Sequence, residues 1–199
     1  MTIPDFKNIK CITILFVAIL FLTSCSNQSK NSKEVSLAGM YKLWIIEYQD
    51  STGVWHEDSW AKGGESYIIY DGLGHMAVQI TPKGYKDFKW LGELESINQN
   101  FVKQKVDSMS LQDLKAAVIN FSSNYVYVAD YSVNDTANII THKRISSSIP
   151  SIWGTNVKRA FTFSGDTLIL LASNKSSLKV LNVNRRLKWV RTEQSIHFN

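Results

Sequence analysis

From Gly39 onward the sequence alternates. In one short segment after another, Val, Ile, Tyr, Phe, Trp and Thr recur at every second position, and polar turns separate the segments. A two-residue period sends successive side chains to opposite faces of an extended chain. A sequence written this way is therefore committed to half-buried antiparallel sheet rather than to helices. The expected strands are Met40–Gln49, Ser66–Tyr70, His75–Thr81, Tyr125–Val133, Ile139–Ile145, Thr155–Ser164, Thr167–Ala172, Leu178–Val183 and Arg186–Thr192. Asp71-Gly72-Leu73-Gly74, Asn134-Asp135-Thr136 and Ser164-Gly165-Asp166 supply the residues that tight hairpins need.

One stretch departs from this period. After Ser110, an N-cap with Asp113 three residues on, Leu111, Leu114, Val118 and Phe121 step by three and four, which predicts a helix over 111–121. Glu93 to Asp107 reads equally as a second helix or a long loop. Short antiparallel strands with one inserted short helix predict an all-β fold. The expected form is a closed up-and-down barrel of about eight strands, because closure removes exposed edges; a two-sheet sandwich is the alternative. A barrel of about eight strands either fills with its own side chains or holds one small ligand.

Before this body, Lys7 and Lys10 precede an apolar run from Cys11 to Leu22 interrupted only by Thr13. At a rise of about 1.5 Å per residue the run covers roughly 18 Å, well short of the ~30 Å hydrocarbon core, so it reads as an export signal and not as a membrane span. Leu22-Thr23-Ser24-Cys25 resembles the bacterial lipobox. That resemblance implies a signal peptide over 1–24 and a fatty-acylated Cys25 as the first mature residue, with anchoring in the bacterial cell envelope, at the outer membrane in a Gram-negative cell. The polar residues up to Ser36 complete a tether over 25–36, about 18 Å in mean reach, and the barrel domain follows over 37–199.

Composition narrows the function classes. The 199 residues are 44% hydrophobic, as expected of one globular domain. Lys and Arg number 22 against 17 acids, giving a net charge of +5 with no block of like charges, which argues against a nucleic-acid arm. Both cysteines precede the body, which therefore forms neither a disulfide nor a cysteine zinc site. Gly72-Leu73-Gly74-His75-Met76-Ala77 matches a relaxed dinucleotide fingerprint, but an alternating segment follows it where a helix is required. His56-Glu57-Asp58-Ser59-Trp60 has tryptophan where a zincin needs its second histidine, and no Gly-x-Ser-x-Gly elbow occurs. No cofactor, metal or catalytic residue is expected. Lys175, Lys179, Arg185, Arg186, Lys188 and Arg191 form a basic stretch free of acids, either a rim for anionic headgroups or a solvated strand edge.

Arg159 shares its phase with Val157, Phe161 and Phe163, which places a guanidinium on the inward face. A buried guanidinium requires a partner: a ligand anion, a lumen carboxylate such as Glu47 or Asp130, or tyrosine hydroxyls and water. Tyr125, Tyr127, Ala129, Tyr131 and Val133 form a tyrosine stripe suited either to a mixed pocket or to an aromatic core. His142 shares its phase with Ile140 and Arg144, and the sequence leaves its orientation open.

In order and spacing, several blocks together resemble the bacterial lipocalin-like domain family. They include Gly39-Met40-Tyr41-Lys42-Leu43, Tyr67 to Ile80, Thr141-His142, Ile149 to Thr155, Arg159-Ala160-Phe161, Gly165-Asp166-Thr167-Leu168 and Leu187 to Arg191. Tyr41 stands where lipocalins carry tryptophan, so the family's stacking on a late arginine would fall to Tyr41 and Arg191 or be absent. The resemblance implies a barrel for a small apolar or anionic amphipathic molecule, with Arg159, His142, Tyr127, Tyr131, Trp153 and Tyr41 as lumen candidates. A side-chain-filled barrel acting as an envelope interaction module is the first alternative. An isomerase or cyclase using His142 or a lumen tyrosine as acid or base is the second.

Overall fold

The computed structural model describes residues 36–88, 90–172 and 184–192. The expected signal peptide, Cys25, nearly all of the tether, and the expected strand Leu178–Val183 lie outside the described residues, as do Lys175 and Lys179. All described residues belong to one unit, 31–199. Its strands are β1 (Gly39–Gln49), β2 (Trp55–Glu57), β3 (Tyr67–Tyr70), β4 (His75–Ile80), β5 (Tyr125–Asn134), β6 (Ile139–Ser147), β7 (Asn156–Ser164), β8 (Thr167–Ala172) and β9 (Arg185–Arg191). They pair in the order β2-β1-β3-β4-β5-β6-β7-β8-β9, and β1 also pairs with β9. The sheet thus closes into an eight-stranded antiparallel barrel. The short β2 is an extra strand, bonded to β1 at Glu47–Gln49, beyond the part of β1 that β3 covers.

Alternation decides what fills the barrel. Ile68 and Tyr70, Met76 and Val78, Tyr127 and Tyr131, Ile140 and His142, and Leu168 and Leu170 are buried in step with their strands. In β1 the register against β9 shifts between Leu43 and Ile45. This bulge resets the phase, so that Tyr41 and then Ile46 are buried, five residues apart. Glu47, which unbroken parity with Tyr41 would send inward, therefore lies outside the lumen. Its carboxylate takes Arg186 at 2.6 Å and Lys188 at 2.9 Å from β9. The hydrogen bond from Arg186, chief among the causes, holds the Glu47 carboxyl below the usual range despite its burial.

The barrel end at which β1 begins, its base, is sealed. Leu37, Tyr41 and Leu168 are fully buried there, with Trp189 at 1% exposure. Arg191 stacks on Tyr41, its guanidinium 4.6 Å from the ring centre, and donates to the carbonyls of Ala38 at 2.6 Å and Ser36 at 3.0 Å. Of the two alternatives, the stacked pair of Tyr41 with Arg191 is the one present. Gly39, at φ 143°, makes room for the pair, since a Cβ there would collide with Arg191 Nη1.

At the opposite end, the mouth, the segment after β2 folds inward. Trp60 meets Tyr125 edge to face at 6.2 Å, Ala61 is buried, and Arg185 pairs with Asp58 at 2.6 Å. Arg185, Arg186, Lys188 and Arg191 are thus tied to neighbouring acids and carbonyls. This corrects both sequence readings of the described part of the basic stretch, which is neither a free rim nor a solvated edge.

Between β4 and β5 the described residues form three α-helices where one was expected: α1 (Glu93–Ser96), α2 (Gln99–Ser108) and α3 (Leu111–Ser122). The Ser110 hydroxyl caps α3 by accepting from the Asp113 amide at 3.1 Å, and the Asn98 side chain caps α2.

Candidate functional site

Four strands bring a polar group into the lumen. Tyr70 comes from β3, Tyr127 from β5, and His142 with Arg144 from β6; β7 adds Arg159. His142 is fully buried, and both of its ring nitrogens are occupied: Nε2 lies 3.1 Å from the Tyr70 hydroxyl and Nδ1 lies 2.9 Å from the Tyr127 hydroxyl. Burial is the main reason its pKa falls to about 3, and the nearby Arg159 and Arg144 charges reinforce the shift. The imidazole is therefore neutral, with one N–H and one lone pair. One tyrosine must donate to it and the other must accept from it. In either tautomer one tyrosine O–H hydrogen is left without an acceptor among the described residues. Burial raises the pKa of both tyrosines, which keeps the hydroxyls protonated and able to donate.

The arginines border this chain. Along the seam between β6 and β7, Arg144 adjoins Thr155, His142 faces Val157, and Ile140 faces Arg159. Arg144 is only 8% exposed. Its Nη1 donates to Thr155 Oγ1 at 2.8 Å, its Nη2 reaches the Tyr125 hydroxyl at 3.4 Å, and its Nε has no partner. The guanidinium also sits 5.2 Å from the centre of the Tyr127 ring. Arg159 is half-buried, and its guanidinium has neither a hydrogen bond nor an ion pair among the described residues.

Of the carboxylates expected for Arg159, Glu47 is engaged by Arg186 and Lys188. Asp130 lies on the outer face of β5, across from His75 and Lys143. Neither lies in the lumen. The site thus offers an unpaired cation, a donor hydroxyl and aromatic walls. It suits an oxygen-bearing or anionic head with an apolar body.

The structure separates the sequence candidates. Arg159, His142 and Tyr127 meet in this group, while Tyr131 stacks edge to face on Tyr70 at 5.0 Å as part of the wall. Tyr41 belongs to the sealed base. Trp153 lies outside the lumen: it follows a 3-10 turn at Pro150–Ile152, is 55% exposed, and donates from its indole to the Ser147 carbonyl. It sits in a loop, where strand parity says nothing about direction. Sequence reasoning missed Tyr70 and the site role of Arg144. The shared phase of Arg144 and His142 was the available signal for Arg144, and the alternation of Tyr70 with the buried Ile68 was the signal for Tyr70.

A cavity of about 280 Å³ lies elsewhere, between α2, α3 and the preceding loop, lined by Phe88, Trp90, Lys105, Met109 and Asp113 among others. None of its lining residues belongs to the polar group, which remains the better site candidate because its charges are uncompensated. No curated protein matches the chain. A family model described as a lipocalin-like domain matches residues 38–193, from the residue before β1 to just beyond β9.

Proposed function

Because the chain belongs to the lipocalin-like domain family, we propose that it binds a small amphipathic molecule in the barrel lumen while tethered to a membrane of the bacterial envelope through a lipid on Cys25. The half-buried Arg159, with no partner among the described residues beside the Tyr70–His142–Tyr127 chain, carries the ligand reading. The short apolar run and the lipobox-like tetrad before Cys25 support the tether.

Titration with anilinonaphthalene sulfonate, an apolar monoanion, tests the ligand reading. Saturable binding is expected. A charge-assisted contact of about 1.5–3 kcal/mol implies that Arg159→Met weakens it by roughly ten- to a hundredfold. Unchanged affinity in that variant would remove Arg159 from the site. Cys25→Ser is expected to abolish fatty-acid labelling and release the chain to the soluble fraction; continued membrane retention would refute the lipid anchor.

The same titration decides a second reading, an interaction module with a filled lumen. The apolar side chains that the helices leave exposed, such as Leu94, Ile97, Leu111 and Ile119, speak for that reading. Absence of saturable binding to the folded chain would favour it.

A further inference from the structure

The lumen holds two guanidiniums, and no acid faces either of them among the described residues. The partly buried acids nearest the mouth are already committed, Glu47 to Arg186 and Lys188 and Asp58 to Arg185. Arg144 is the more demanding of the two cations. It is more than nine-tenths buried, and among the described residues its only hydrogen-bond partners are neutral hydroxyls and its Nε meets no acceptor. Removing a charge this far from water without a counter-charge is strongly unfavourable. Arg159 repeats the condition from the neighbouring strand. Both lie close enough to the same centre to oppose protonation of His142. The intervening His142 is neutral and contributes no compensating charge.

Resting on the reading of the lumen as a ligand site, we propose that the ligand is an amphipathic dianion, with one negative charge answered by Arg144 and the other by Arg159. Two kinds of molecule share that chemistry: a single doubly charged head such as a phosphate monoester, and an apolar chain bearing two carboxylates. Arg144 is then a binding residue equal in standing to Arg159. The hydroxyl hydrogen that His142 leaves free completes the donor set for the head.

The test compares probes with similar bodies and different charge on the full chain at pH 8, where a phosphate monoester with a second pKa of about 6 is doubly ionised. Octyl phosphate, decanedioate, octyl sulfate and octanol are titrated in parallel. At least one of the two dianions is expected to bind ten times or more tighter than octyl sulfate, and which of them does so identifies the head. In Arg144→Met that preference is expected to collapse to about twofold or less. Equal affinity for dianions and octyl sulfate in the wild-type chain would overturn the proposal while leaving the lumen site standing. So would a preference that survives Arg144→Met. Binding of none of the four probes would overturn both. The wild-type comparison stands by itself if the variant fails to fold, and Arg144→Lys, which keeps the charge, is then expected to retain part of the preference.

Discussion

His142 is the residue on which the lumen chemistry turns, because its neutrality requires one flanking tyrosine to donate to it and the other to accept from it. The same neutrality has a cost that depends on pH. In the folded chain the imidazole titrates at about 3, and in the unfolded chain near its ordinary value of 6.5. Below about pH 6.5 the unfolded state takes up a proton that the folded state refuses. Stability from this group is therefore complete above that pH and falls by about 1.4 kcal/mol per unit toward pH 3. His142→Gln, which keeps a donor and an acceptor, is expected to be less stable at pH 7.5. Its unfolding free energy should nevertheless fall less steeply than that of the wild type between pH 6.5 and 4.5. Parallel urea-derived stability curves would show that His142 is protonated within the fold. At this scale the sequence was a good guide to direction and a poor one to company. Parity placed Arg159 inward, but whether a carboxylate waited there depended on strands far away in the chain.

Among the elements, legibility follows the strength of the period. Strands such as β5, β7 and β8 could be read within a residue or two because their alternation is long and, Arg159 of β7 apart, each inner position is apolar or aromatic. The three-residue β2 has no period to detect. Helices α1 and α2 were obscure for a different reason: Leu94 at 78%, Ile97 at 76% and Phe101 at 50% exposure are apolar without facing a core, so their spacing carries little of the usual signal. The bulge in β1 misled most. A single irregular residue reverses the parity of all that follows it, which is why Glu47 read as a lumen carboxylate and proved to be the partner of Arg186 and Lys188 outside the lumen.

For the whole molecule, Arg191 does the work of closure. It joins the last described strand to the backbone just before the first, through two carbonyls, the Tyr41 hydroxyl and the Tyr41 ring. Replacing it with methionine keeps the packing against Tyr41 and removes the charge-assisted bonds and the cation–π contact. Arg191→Met is expected to lower the unfolding free energy in urea by about 2–4 kcal/mol. A change within about 0.5 kcal/mol would show that the β1–β9 ladder closes the barrel unaided. Closure itself was legible from the number and kind of strands, whereas the clamp rested on a family pattern in which tyrosine replaces the expected tryptophan.

The ties that Arg191 makes span 150 to 155 residues of sequence. Such distant partners meet late, since the entropy of closing so long a loop must be met before their contacts give anything back. On the way to the native state, β1 therefore keeps one edge open until β9 arrives. The clock of this barrel is set at its seam: the hairpins can form early and locally, but the lumen exists as an enclosed space only after the two ends of the domain have found each other.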